Sequence, residues 1–389
     1  MQLLRKKPFK IVLIAIGILM ILLATESCRP DPVWGAEMPG IVQTVCDRYE
    51  LIRDHEHSWK NGQCTICKTW CTHENHTKEG VCLTCGRKAY HTYRYGLCRC
   101  GNVLQFQYEL LPHEYYFEDC DEPGTLQTVE LKGQLSDVSP TIAGKKFEVY
   151  TPYGYSPNRK YDVMFLQGGL GSHYNACTSE KWWLTDNYDQ QFIFKTVWDH
   201  MIKNGDCRPM IIVSVDGYSA KHGADRYRDL YEETVYFVRN YIYPYVIDHY
   251  STYAKSSDPN DIIAAREHFG YGGFSNGGYM SYWGCMNSLL DYCANLMPIA
   301  GSWRSAELID KVYQCKDEYP IICFYSGAGV NDGYAYEQTL EDYVTIVNGS
   351  GYLTDGVNAW FVETNYGHDL GAESIHFFNG LRVMFPEPY

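Results

Sequence analysis

The sequence predicts an α/β fold, with a mostly parallel central sheet flanked by helices and a small Cys/His-rich module ahead of it. Three observations predict it. Beyond residue 125, short apolar runs alternate with amphipathic segments, the order of a parallel sheet covered by helices on both faces. A Gly-x-Ser-x-Gly pentapeptide, Gly273-Phe274-Ser275-Asn276-Gly277, stands where one of those runs meets a helical segment. Nine of the 16 cysteines fall between Cys46 and Cys120, in a stretch with many His and few long apolar runs.

Taken in chain order, residues 1–40 read as an export signal. Arg5-Lys6-Lys7 and Lys10 precede the uncharged apolar run Ile11 to Ala24. That run suits a signal sequence and falls short of the roughly 20 residues a spanning helix needs, so a retained membrane anchor requires flanking residues to join it. Cys28 follows a poor lipobox, with Glu26 where a small residue is expected. Either form places the protein outside the cytoplasm, secreted or attached to the cell surface.

Residues 41–120 form the second segment, and a short unit recurs in it. The copies run from His57 to Cys64 and Cys67, from His76 to Cys82 and Cys85, and from His91 to Cys98 and Cys100. Each has a His, a glycine that can turn the chain, and a close Cys pair, with Cys71 and His73 as further candidate ligands. Tetrahedral structural zinc takes this donor set, and a segment with so little apolar material needs such a staple to fold. Disulfides are the alternative in an oxidising compartment, although they give the recurring His no part. Cys46 and Cys120 fit no copy.

Residues 125–389 carry the α/β pattern. Thr125 to Lys132 and Lys146 to Tyr150 alternate like half-exposed antiparallel strands. Asp162–Leu166, Met210–Val215, Phe269–Phe274, Tyr319–Tyr325 and Ala359–Glu363 are continuous apolar runs suited to strands buried on both faces. Tyr227 to His249, Asn276 to Cys285 and Tyr334 to Val347 read as helices, and His376 falls inside a final helical segment as a packing residue.

The pentapeptide between a strand and a helix has the form of a nucleophile elbow, where flanking glycines relieve the crowding around a strained serine. A serine hydroxyl needs a base, and on such a scaffold the His comes last in chain order. His368, in a loop just beyond a predicted strand, is the candidate. The carboxylate that would hold its tautomer is expected between the two, and Asp332 follows a strand through a glycine-containing loop. The oxyanion donors are expected from the backbone N–H of Asn276 and of Gly169, in Gln167-Gly168-Gly169-Leu170-Gly171. Tyr174, Trp182, Trp183, Tyr218 and Trp303 lie beside these loops, where rings could stack on an aromatic acyl group or on sugar faces. No cofactor is expected for this chemistry. The net charge of −14 and the lack of a basic run disfavour nucleic acid as a partner.

From about residue 125 to 385 the chain resembles the feruloyl and acetylxylan esterases of carbohydrate esterase family one, the esterase D-like branch of the α/β-hydrolases. The resemblance rests on Lys146-Phe-Glu-Val-Tyr-Thr-Pro-Tyr-Gly-Tyr155, Leu166-Gln-Gly-Gly169 and Tyr241-Ile-Tyr-Pro-Tyr-Val246. It continues in Arg266-Glu-His-Phe-Gly-Tyr-Gly-Gly-Phe-Ser275 and Gly367-His-Asp369. It implies release of hydroxycinnamic or acetic acid from plant cell-wall polysaccharide, with Ser275, Asp332 and His368 as the triad. Gln167 replaces the His that usually precedes the oxyanion glycines, and Asn276 stands where Met is common; the Cys/His-rich module has no counterpart in that pattern. A peptidase or acyltransferase on the same scaffold, and a surface binding protein with a remnant hydrolase core, are the competing readings.

Overall fold

The computed structural model describes residues 58–60, 63–66, 71, 77, 81–87, 108–130, 145–170, 172–183, 191–216, 226–302, 318–351 and 353–385. For residues 63, 182–183, 191 and 226–231 it describes the backbone alone. The segment 1–40, with His57, Cys67, His73, His76, His91, Cys98, Cys100, Tyr218 and Trp303, lies outside the described residues. No helix among the described residues is long and apolar enough to cross a membrane.

The chain divides into two compact units, Met1–Asn75 with Cys82–Arg87, and His76–Val81 with Lys88–Tyr389. In the smaller unit Trp59–Lys60 pairs antiparallel with Gln63–Cys64. Gly86, at φ 74°, closes a tight turn in which the Gly86 N–H donates to Cys82 O and the Cys82 N–H to Arg87 O. Residues 108–120, counted above with the Cys/His-rich segment, pack within the larger unit. There the short helix α1 (His113–Phe117) buries Tyr115, whose hydroxyl donates to Asp206 at 2.5 Å. Burial of Leu111, Tyr115 and Cys120 helps to hold this segment, as do the hydrogen bonds that the Glu109 backbone exchanges with the Asn379 amide.

The larger unit is built on eight strands: β1 Thr125–Glu130, β2 Lys146–Thr151, β3 Asp162–Gln167, β4 Met210–Val215, β5 Phe269–Phe274, β6 Asn295–Ile299, β7 Cys323–Gly329 and β8 Ala359–Thr364. Their order across the sheet is β1-β2-β4-β3-β5-β6-β7-β8. β1, β2 and β4 pair antiparallel in succession, and from β4 to β8 every pairing is parallel. Side chains of β3 and β4 alternate between two cores. Val163, Phe165, Ile211 and Val213 enter one, and Met164, Leu166, Met210 and Ile212 the other. That is why these strands read as unbroken apolar runs rather than as alternation.

Helices cover both faces. α2 (Phe194–Asn204) lies between β3 and β4, and α3 (Arg226–Phe237) with α4 (Tyr243–His249) between β4 and β5. The run from 227 to 249, expected as one helix, is interrupted by a π-helical turn, Val238–Ile242. Pro244 in the first turn of α4 cannot donate the N–H that a continuous ladder would use there. α5 (Asn276–Met280) follows β5 and passes into a second π-helical segment, Ser281–Cys285. α6 (Tyr336–Ser350) joins β7 to β8, and α7 (Leu370–Leu381) ends the unit, with every residue from Gly371 to Leu381 buried.

Two strand expectations differ. β6 lies outside the expected runs, and its Pro298 is unusual inside a central strand. β7 begins four residues later than the apolar run 319–325 and extends into Gly327-Ala328-Gly329, whose backbone is buried without large side chains.

β3 and β5 are neighbours whose following connections leave in opposite directions, β3 toward β4 and β5 toward β6. Their carboxyl ends therefore open a crevice at a topological switch point, where open α/β sheets bind ligands.

Candidate active site

Ser275 stands at the end of β5 with φ 55° and ψ −108°, a conformation that costs a non-glycine residue about 1–3 kcal/mol. Close packing dictates the flanking glycines. A Cβ on Gly273 would lie 2.3 Å from Gln167 O, and one on Gly277 would lie 2.0 Å from the same oxygen. Any larger residue would push α5 off β3 and misplace the serine. The Ser275 N–H donates to Ile299 O on β6 at 2.9 Å, which anchors the turn from the other side.

His368 comes from the loop between β8 and α7. Its Nε2 is 2.7 Å from Ser275 Oγ, and its Nδ1 is 2.6 Å from Asp332 Oδ2. Asp369, next in the chain, steadies this loop. It caps α7 by accepting from the Ala372 N–H through Oδ1, and its Oδ2 accepts from the Gly367 N–H, both at 2.9 Å. The Phe274 ring packs 4.9 Å from the imidazole.

Asp332 is buried in the loop after β7. Its Oδ1 accepts from the N–H groups of Tyr334 at 2.9 Å and Ala335 at 3.0 Å, leaving Oδ2 for the imidazole. Burial by itself would raise its carboxyl. The hydrogen bond and charge of His368, with the two backbone donors, outweigh this and hold it below the usual carboxylate range. Asp332 therefore stays ionised and fixes Nδ1 as the protonated nitrogen, which leaves Nε2 free to accept the serine proton.

The loop after β3 approaches the serine closely, since a Cβ on Gly169 would lie 3.6 Å from Ser275 Cβ. Gly169 and Asn276 both line an open cleft of about 870 Å³ that also contains Ser275 and His368. Gln167, the departure noted above, is held by Tyr271, whose hydroxyl donates to its Oε1 at 2.7 Å; its Nε2 is buried without a partner.

Aromatic lining comes from Phe274, Tyr279 and Tyr334, none of which the sequence singled out. Phe274 is the variable residue inside the pentapeptide, Tyr279 lies one helical turn beyond the serine, and Tyr334 is two residues past Asp332. Proximity to the candidate residues Ser275 and Asp332 was the available signal. The Tyr174 ring lies instead beneath the Lys146 ammonium, 5.7 Å away. Trp182–Trp183 forms a two-residue strand paired with Gln191–Phe192. Ala300, at φ 47°, and Glu373, in the first turn of α7, also line the cleft.

In the smaller unit, Cys71, Cys82 and Cys85 place their sulfurs within 4.8 Å of one another, with Cys71 and Cys82 at 3.5 Å. Zinc–sulfur bonds of about 2.3 Å in a tetrahedron put the sulfurs about 3.8 Å apart, whereas a disulfide needs about 2.05 Å. Burial pushes the Cys82 thiol up, but N–H donors from Cys85 and Thr84 and the neighbouring thiols bring it below its ordinary value, whereas burial holds the neighbouring Cys85 thiol above its own. The trio joins one complete Cys pair to Cys71. Cys64 is fully buried, and its sulfur accepts from the Ile66 N–H at 3.4 Å.

Residues 143–288 match the family model described as a putative esterase. The endo-1,4-beta-xylanase Y of Acetivibrio thermocellus is 30% identical over 243 residues, 62% of this chain and 20% of that protein, so the chain spans about a fifth of this curated relative. A serine-to-alanine mutant of the feruloyl esterase module from Clostridium thermocellum, complexed with sinapinate, superposes with a TM-score of 0.55 at 26% identity. That match covers 72% of this chain and 94% of that one. The ferulic acid esterase of Anaeromyces mucronatus, in complex with ferulic acid, shares the fold with a TM-score of 0.53 at 20% identity, over 73% and 98% of the two chains. With the strand order and the sharp turn between β5 and α5, these matches show that the sheet domain has an α/β-hydrolase fold similar to that of the feruloyl esterases, and that residues 143–288 resemble the esterase family.

Proposed function

We propose that the protein is a serine esterase that frees feruloyl or acetyl groups from plant cell-wall carbohydrate through an acyl-enzyme. The observation that carries this reading is the unbroken hydrogen-bonded series from Ser275 through His368 to buried Asp332, set on a strained elbow beside a glycine loop. Ser275 Oγ attacks the ester carbonyl while His368 Nε2 takes its proton. The oxyanion develops against the backbone N–H groups assigned to Gly169 and Asn276. His368 then returns the proton to the departing sugar hydroxyl, and water repeats the sequence on the acyl-enzyme. Side chains, these backbone N–H groups and water carry all four steps. The apolar ring surface in the cleft suits an aromatic acyl group, and the feruloyl esterase relatives support that class.

Side-by-side hydrolysis of methyl ferulate, an acetylated xylan oligosaccharide and a long-chain acyl ester tests the reading. Cleavage of methyl ferulate or of the acetylated oligosaccharide at least tenfold faster than the lipid ester is the expected result. Preference for the lipid ester, or release of a peptide amine instead, would overturn the substrate class.

The charged start and apolar run of residues 1–40 support an extracytoplasmic location, by secretion or by a retained anchor. For the smaller unit we infer structural zinc held by Cys71, Cys82 and Cys85, with a fourth ligand from the remaining His and Cys of the repeats. Metal analysis of the intact protein should find stoichiometric zinc. Chelation should make the segment up to residue 100 protease-sensitive while esterase turnover falls less than about twofold, since the triad lies in the larger unit. Metal-free protein with these cysteines oxidised in pairs would sink the assignment.

A further inference from the structure

Glu373 lies in the first turn of α7, lines the same cleft as Ser275 and His368, and is only 2% exposed. Its Oε1 is buried without a hydrogen-bond partner. Native proteins rarely leave a buried carboxyl oxygen unmatched, because the lost hydration costs about 1–3 kcal/mol or more. Neither packing nor the triad uses this group. Nor does helix capping, since Asp369 caps α7.

We propose that Glu373 is the specificity residue of the acyl site, its carboxyl hydrogen-bonding a phenolic hydroxyl on the aromatic acyl group; this rests on the esterase reading above. The surroundings suit an acid that is kept neutral. Burial, and then the nearby charge of Glu180, push the Glu373 carboxyl up to about 8. Glu180, itself with a buried unpartnered Oε2, is also shifted upward by burial. A neutral carboxyl both donates and accepts, so it can satisfy a phenol in both directions, as a carboxylate cannot. An acetyl group would leave Glu373 unmatched, whereas a hydroxylated ring matches it. A site built to bond a hydroxyl discriminates strongly against an analogue that lacks it, because the site's own polar group is then stranded.

The test compares kcat/KM for methyl ferulate, whose phenol is free, with methyl 3,4-dimethoxycinnamate, whose phenol is capped. The wild type should favour the free phenol at least tenfold. E373L, confirmed folded by thermal melting, should bring the ratio to within about threefold, through KM rather than kcat. E373Q, isosteric and still able to donate, should keep at least a threefold preference and guards against a folding failure of the leucine variant. A feruloyl-arabinose ester provides the remaining arm. If E373L impairs only that ester, the hydroxyl bound is the sugar's, and the acyl assignment is overturned. A wild type that reacts with a fluorophosphonate at Ser275 yet distinguishes the two methyl esters less than threefold overturns the proposal and leaves the esterase standing. A wild type that neither reacts nor hydrolyses any ester overturns both.

Discussion

Replacing Ser275 by alanine should lower kcat/KM on its best ester by about 10⁴–10⁶-fold, the range seen when a triad nucleophile is removed. The fold should persist. Alanine fits wherever serine does, and the hydrogen bonds that define the elbow run through the Ser275 N–H to Ile299 O and the Tyr279 N–H to Ser275 O, not through the hydroxyl. A fluorophosphonate should label wild type and fail on the variant, with thermal melts within a few degrees of each other. Labelling that survives the substitution would move the nucleophile elsewhere. A fall of less than tenfold would make the Ser275–His368 contact structural.

The second large effect is the loss in acid of the contribution that His376 makes to stability. This residue is fully buried in α7; its Nδ1 lies 3.1 Å from the Tyr325 hydroxyl and its Nε2 has no partner. Burial lowers its pKa from 6.5 to about 3. A depressed folded value means that the unfolded chain takes the proton first, so this stability is fully present above pH 6.5 and is lost as pH falls toward 3. The slope is about 1.4 kcal/mol per pH unit, which makes the loss at pH 4.5 about 2–3 kcal/mol. Glu373 works in the opposite sense. Its raised value gives stability that is present below 4.5 and lost as pH rises through about 8. The two contributions offset one another between pH 4.5 and 6.5, so a stability plateau is expected there. Urea midpoints of wild type and H376Q at pH 7.5 and 4.5 measure the first contribution. The difference between the two proteins should shrink by about 2–3 kcal/mol at the lower pH. An unchanged difference would mean that His376 protonates within the folded core.

Much of the larger unit was legible because its chemistry follows chain order. The runs 162–166, 210–215, 269–274 and 359–363 gave strands within a residue or so, since strands covered on both faces must be apolar throughout. Ser275, Asp332 and His368, which the structure brings into hydrogen-bond contact, were candidates because each follows a strand's carboxyl end, where the fold exposes side chains over the sheet. β6 carries Pro298, unusual inside a central strand, and the true span of β7 was hidden by small residues that a hydropathy pattern cannot register. Among the described residues, the rings that line the cleft are Phe274, Tyr279 and Tyr334, chain neighbours of the candidate triad, whereas the sequence drew attention to rings along the loops, of which Tyr218 and Trp303 lie outside the described residues. Glu373 left no trace in the sequence at all, because a carboxyl in a helix reads as a solvated surface group until its burial is seen.

On the proposed esterase reading, the backbone at Ser275 ties activity to fragility. Its φ of 55° is a geometry that glycine holds without penalty, so glycine there should make a more stable protein, by something near 1 kcal/mol, with no nucleophile. The active sequence is thus not the most stable one at this position, and selection for hydrolysis must continually oppose a drift that folding alone would favour. In a lineage whose ester substrate disappeared, glycine at the elbow should be among the early and persistent replacements. Such a sequence would keep the sheet, the cleft and every glycine around the turn while having lost its chemistry, and the pentapeptide would then read as five residues with glycine at three positions.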